Sequence, residues 1–72
     1  MKYIVECRAR DVNGTITGAT FRGFGAGLPD RRTAIEVFRR EIKGGKWDAV
    51  YLERLYSNGT IIDDDTWYRY AE

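Results

Sequence analysis

Four groups of residues in this 72-residue chain have types and spacings that could do chemistry. Gly23-Phe24-Gly25-Ala26-Gly27, just ahead of Arg31 and Arg32, has the glycine spacing of a phosphate-cradling loop. Asp63-Asp64-Asp65 offers the carboxylates that Mg²⁺ and Ca²⁺ prefer. Arg31, Arg32, Arg39, Arg40 and Lys43 form a basic stretch, and Trp47, Tyr51, Tyr56, Trp67, Tyr68 and Tyr70 form a dense aromatic set. Two shortages narrow these readings. There is no histidine, which removes Ser-His and Cys-His nucleophile pairs, imidazole metal ligands and the usual general base near neutral pH. The one cysteine, Cys7, excludes an internal disulfide framework, a Cys-rich zinc site and a Cys-x-x-Cys redox pair. The expectation is a non-enzyme with no catalytic residues, no metal site and no cofactor.

Each group also has a plain structural reading. A P-loop ends in Gly-Lys-Ser/Thr and a dinucleotide site needs a longer parallel βαβ unit; neither is present, and Asp30 as a helix N-cap would occupy the amides an anion would use. The glycines therefore read as a close-packed connection over 23–29, with Phe24 as an anchor for a partner. Consecutive strand residues point to opposite faces, so Asp63, Asp64 and Asp65 cannot converge on one cation unless the strand breaks; they read first as a charged edge that blocks strand addition, then as a dock for arginine. The cations Arg8, Arg10, Arg31, Arg32, Arg39, Arg40 and Lys43 make a nucleic-acid surface the alternative function, although Glu36 and Glu41 lie within helical reach of several and consume part of the charge.

The elements that must position these residues follow from periodicity. Tyr3–Arg10 alternates, with Tyr3, Val5, Cys7 and Ala9 on one face and Ile4, Glu6, Arg8 and Arg10 on the other. Asn13-Gly14 marks a hairpin and 15–24 the returning strand; a three-residue loop Asn13-Gly14-Thr15 sets Cys7 against Phe21 and Glu6 against Arg22, keeping like with like. A two-residue loop would set Cys7 against Thr20 and Val5 against Arg22, and is the less favoured register. Asp30 caps a helix over 31–43 whose apolar face is Ala34, Ile35, Phe38 and Ile42, and Gly44-Gly45 ends it. Ala49–Tyr56 is a third strand with Val50, Leu52, Arg54 and Tyr56 on one face and Ala49, Tyr51, Glu53 and Leu55 on the other. Asn58-Gly59 marks a second hairpin, with Tyr56 opposite Ile62, Leu52 opposite Thr66 and Val50 opposite Tyr68. The tetrapeptide Asn-Gly-Thr-Ile occurs at 13–16 and at 58–61, which shared turn chemistry explains better than duplication.

The predicted architecture is α+β, in the order β-β-α-β-β: one domain over 1–72, made of a hairpin over 2–24, the connection over 23–29, a helix over 31–43 and a hairpin over 48–70. One helix covers one face of a four-stranded antiparallel sheet. The open face would then carry Ile4, Arg8, Arg10 and Thr20 with Tyr51, Leu55, Ile61 and Trp67, a composition typical of interaction surfaces. Phe24, Tyr51, Leu55, Ile61, Trp67 and Arg69 are the expected partner-binding residues, and a second copy of the chain is one expected partner, giving a homodimer. Charge is segregated, with ten Lys/Arg against five Asp/Glu over 1–46 and two against six over 47–72, so either end could meet an oppositely charged surface. Apolar runs are too short to span a membrane, the first residues lack the apolar segment of a signal peptide, and the lone thiol suits a reducing compartment, so the expected location is cytoplasmic. In size and layout the chain resembles the small single-domain proteins that phages encode to inhibit host enzymes or defence complexes, a likeness of general architecture only. It implies a protein-binding inhibitor.

Overall fold

In the computed structural model of the chain, residues 2–23, 25 and 27–69 are described. They form β1 (Lys2–Arg10), β2 (Ile16–Arg22), α1 (Arg31–Lys43), β3 (Ala49–Leu55) and β4 (Ile61–Tyr68). The sheet order is β2-β1-β3-β4 and every neighbouring pair is antiparallel. The predicted α+β architecture is therefore the observed one. Because β1 lies between β2 and β3, those two strands run parallel, and α1 is the crossover that carries the chain over β1 from one to the other.

The helix forms where its ends and its apolar stripe agree. The Asp30 side chain accepts the Thr33 amide at 2.8 Å, satisfying one of the unpaired donors of the first turn. At the other end Arg40 and Lys43 sit in the last turn, favourable to the helix dipole, and Gly45 at φ +71° supplies the left-handed residue that turns the chain away. The buried stripe, Ala34 and Phe38 flanked by Ile35, Val37 and Ile42, packs on Val5 and Cys7 of β1 and on Val50 and Leu52 of β3. Those four strand residues are at most 1% exposed. Trp47 closes the core beside them, and its indole N–H donates to Glu41 Oε2 at 2.7 Å, so burying it orphans no donor.

The glycine-rich connection is packing, with its glycines required by position. A Cβ on Gly27 would stand 2.8 Å from the Lys2 side chain, and one on Gly23 would stand 2.7 Å from Leu28 Cγ; both residues also have positive φ. This tightness lets Leu28 exchange two backbone hydrogen bonds with Tyr3, at 3.1 and 2.7 Å, extending the sheet where β2 has ended. Phe24, the expected loop anchor, lies outside the described residues.

Both hairpins depart from the predicted register, and for one reason. A three-residue hairpin loop needs its third residue at positive φ, which Thr15 and Thr60 would adopt only at a cost. The loops are instead Val12-Asn13-Gly14 and Ser57-Asn58-Gly59, with Gly14 at φ +80° and Gly59 at φ +88°. Their closing bonds match: the Gly14 amide donates to Asp11 and the Gly59 amide to Tyr56, each at 3.0 Å. The repeated tetrapeptide is thus repeated turn chemistry. Each loop shifts the register by two residues, and a bulge in each returning strand, at Thr17 and at Asp64, takes one of them back, which leaves a net slip of one and exchanges the faces.

The result is the less favoured first register, Cys7 opposite Thr20 and Val5 opposite Arg22, with Phe21 opposite Glu6. Thr20 therefore shares the helix-covered side and Phe21 the open one. An arginine is tolerated on the helix side because β2 is an edge strand, and Arg22 Nε reaches Glu41 Oε1 at 3.1 Å. In the second hairpin Trp67, not Tyr68, opposes Val50 and packs on the core, while Tyr68 opposes Ala49 on the open face. Trp67 is withdrawn from the partner-binding set on this ground. Phe38→Ala should cost about 3–5 kcal/mol by leaving a cavity under the helix. Chemical denaturation should likewise show Trp67→Ala costing about 2 kcal/mol or more and Tyr68→Ala about 1 kcal/mol or less; the reverse order would contradict this register.

Candidate interaction surface

The sheet face opposite α1 is built on β1 and β3, where alternation sends Ile4, Glu6, Arg8 and Arg10 out beside Ala49, Tyr51, Glu53 and Leu55. At its centre the Arg8 guanidinium makes two bonds to Glu6, Nε to Oε2 at 2.9 Å and Nη2 to Oε1 at 3.0 Å. The same group lies 4.6 Å from the centroid of the Tyr51 ring, a cation–π contact. Arg8 and Arg10 both point a nitrogen at the Tyr51 hydroxyl, each at 3.5 Å, and Tyr68 stands edge-on to Tyr51 with ring centroids 5.8 Å apart. Burial and a hydrogen bond with Tyr68 push the Tyr51 phenol above its ordinary value, so it stays protonated. Arg8 and Tyr51 tie this group together, Arg8 holding Glu6 and facing Tyr51, and Tyr51 meeting Arg8, Arg10 and Tyr68.

Toward the other end of the strands the face turns acidic. Glu53 opposes Asp63 on β4 and is diagonal to Glu6 across the β1–β3 pair. Although no layer covers it, Glu53 is only 9% exposed. Burial, then the charges of Glu6 and Asp63, push its carboxyl up from 4.5 to about 7, and the Arg8 charge opposes this only in part. Around this polar centre stand half-exposed apolar side chains: Phe21 from β2, with Tyr68 and Ile61 from β4.

The expected partner-binding residues are thus partly regrouped. Tyr51, Leu55 and Ile61 do share the open face, with Tyr51 buried at its centre and Leu55 opposite Ile61 toward its acidic end. Arg69 is occupied: Nε bonds Asp48 at 3.1 Å, Nη2 bonds the carbonyls of Gly45 and Trp47 at 2.6 and 2.8 Å, and the guanidinium lies near the Trp67 ring. It ties the end of β4 to the start of β3, where Asp48 also accepts the Arg10 amide at 2.8 Å. Phe21, Tyr68, Glu6 and Glu53 were missing from the expected set. Glu6 and Arg8 share a strand face two residues apart and were readable as a pair, and Glu53 alternates with Tyr51 and Leu55; Phe21 and Tyr68 depend on register.

The expected nucleic-acid set divides by ion pairing. Arg8 is held by Glu6, Arg31 by Asp64 at 3.1 Å and Arg32 by Glu36 at 3.9 Å, and Arg10 leans toward Tyr51. Arg39, Arg40 and Lys43 remain as exposed cations of the outer helix surface, without an ion pair among the described residues. Asp64, turned to the helix side by its bulge, also binds Arg54; burial pushes its carboxyl up, but the two arginine hydrogen bonds outweigh this and hold it below its usual value. Asp63 and Asp65 do not join it, and no group of three His, Cys, Asp or Glu among the described residues is placed to hold a metal ion. Burial and the Glu41 charge push the Cys7 thiol up to about 11, which makes it a packing residue with little thiolate. No protein-family model, curated protein or solved structure matches the chain.

The Glu53 shift sets a pH dependence. A carboxyl held above its unfolded value stabilises the fold fully below about 4.5, and that contribution is lost as pH rises through about 7. With no histidine, the window from pH 5 to 8 contains few other titrations. Thermal melts across it should show stability falling toward pH 8, with Glu53→Gln removing the slope and more stable at pH 8 by on the order of 1–2 kcal/mol. A slope unchanged in Glu53→Gln would mean that another group carries it.

Proposed function

We propose that this protein is a non-catalytic protein-binding module that engages its partner through the open sheet face. The observation that carries this reading is the composition of that face: half-exposed Phe21, Tyr68 and Ile61 stand around a centre of Arg8, Glu6 and Tyr51 whose bonds are already made. A preformed aromatic and arginine surface binds with little ordering cost, and these residue types dominate interface energetics. The architecture resembles that of small phage-encoded inhibitors, which makes a larger enzyme or defence complex of the cytoplasm the fitting class of partner. The alternative, nucleic acid, is left with Arg39, Arg40 and Lys43 on one helix, fewer phosphate contacts than a stable complex requires. No helix among the described residues is long and apolar enough to cross a membrane.

The test compares variants, using nuclease-treated lysate from a candidate host. A partner captured by the wild type should bind Tyr68→Ala and Phe21→Ala about 30-fold more weakly, as loss of a central aromatic contact costs about 2 kcal/mol. Circular dichroism should show both variants folded. Equal capture by all three proteins would remove the open face from the interface. Oligonucleotide binding that falls steeply with salt, and whose slope drops in the Arg39→Ala, Arg40→Ala double variant, would replace this reading with the nucleic-acid one.

A further inference from the structure

Among the described residues, the charged side chains that are not exposed are ion-paired with one exception. Glu6 meets Arg8, Glu41 meets Arg22, Asp48 meets Arg69, and Asp64 meets both Arg31 and Arg54. Glu53 is 9% exposed, yet no donor reaches its carboxylate and no cation pairs with it among the described residues. The carboxylate is not sealed in: Arg54 Nε is the one fully buried side-chain polar atom without a partner among those residues. Glu53 is therefore open to a donor brought from outside.

Its neighbours make it the floor of an acidic notch. Asp63 lies directly opposite on β4 and on the same face, Ile4 lies opposite on β1, and Glu6 is diagonal to it. Like charges directly opposite each other destabilise a strand pair, and no cation of this face offsets them. Arg8 makes two bonds to Glu6, Arg10 leans toward Tyr51, and the carbon stem of Lys2 runs along Gly27 on the β2 side of β1, away from β3. We propose that the notch between Glu53 and Asp63 receives an arginine side chain of the partner, so that the acidic end of the open face recognises a protein with a protruding arginine. This rests on the open-face reading and adds the chemistry of the partner to it.

The surroundings select a guanidinium. A planar fork can bond two carboxylates at once and lay its faces against apolar groups, and Leu55 and Ile61 stand opposite each other at the next position along the same face. An ammonium is a compact, more strongly hydrated charge and uses that setting less fully. The groups that face Glu53 are Glu6, Arg8 and Lys2 from β1, Tyr51 from its own strand and Asp63 from β4. In the free protein, burial and the charges of Glu6 and Asp63 push the Glu53 carboxyl up to about 7, with Arg8 opposing in part. An arriving cation lowers it again, so Glu53 gives up a proton on binding. Affinity for the cation then rises with pH up to about 7 and levels off above.

The test titrates the full chain with three capped peptides, acetyl-Leu-Arg-Leu-amide and its lysine and citrulline counterparts, while NMR follows the side-chain carboxyl signals of Glu53 and Asp63. At pH 8 the arginine peptide should move both signals and bind about tenfold more tightly than the neutral citrulline peptide, with the lysine peptide between them. Its affinity should rise by about tenfold from pH 5 to 7 and change little beyond. In Glu53→Gln, shown to be folded by circular dichroism, the preference for arginine over citrulline should be lost along with the pH dependence, and Asp63→Asn should weaken that preference. Tyr68→Ala should keep it. Equal binding of the arginine and citrulline peptides by the wild type overturns the proposal and needs no variant. A preference that survives in folded Glu53→Gln overturns it too, as does movement of neither carboxyl signal at tens of millimolar peptide. None of these touches the open-face reading, which falls instead if Tyr68→Ala captures the partner as the wild type does.

Discussion

A thirteen-residue helix about 10 Å across can lie over two strands spaced about 4.8 Å apart, and here the two are β1 and β3. The β1–β3 pairing is the contact on which the rest depends. It places Val5 and Cys7 beside Val50 and Leu52 under Phe38, and it sends the alternate residues of the same strands to a face with no second layer. Residues Ala49 to Glu53 are consequently buried on both faces of β3. A chain this small has no further apolar element to cover that side. Central positions of the open face are filled with groups that satisfy one another instead, Arg8 with Glu6 and Tyr51, so burying them leaves few polar atoms unpaired.

The same need shapes the electrostatics. The basic first part of the chain and the acidic last part meet within the fold, Arg31 with Asp64 across the helix and β4, and the Arg10 amide with Asp48 where β1 ends. Much of the charge segregation along the chain is therefore internal complementarity. Glu53 is the exception: Arg8 is committed to Glu6, which leaves Glu53 among carboxylates with its own raised out of the usual range. Arg39, Arg40 and Lys43 are displayed on the helix, away from the open face, whose own exposed cations are Lys2 and Arg10 at the two ends of β1.

Alternation and helix periodicity were enough to read β1, β3 and α1, because each has one buried stripe and the helix has clear caps at Asp30 and Gly45. The faces of the returning strands were not legible in the same way. They depend on which loop residue takes positive φ and on a bulge that leaves no mark in hydropathy: Thr17 lies among small neutral residues and Asp64 between two aspartates. Matching apolar with apolar across the first hairpin favoured the wrong register, since it counted Arg22 as misplaced when an edge position and Glu41 accommodate it. One residue of slip exchanges Trp67 for Tyr68 and brings Phe21 to the open side, so the core survives the error while the surface changes membership.

The bulges that hid the register also account for why the two edges differ. In β4 the bulge turns Asp64 inward to Arg31 and Arg54, which fixes the strand against the helix and leaves Asp63 and Asp65 as charges along the rim. In β2 the bulge falls at Thr17, close to the loop, and the stretch beyond it up to Phe21 is regular, neutral strand. Arg22, the nearest cation, is held by Glu41 and so does not guard the edge. A short neutral strand between two interruptions limits an incoming strand to one register and one length, which is a condition for specific pairing and an obstacle to open-ended growth.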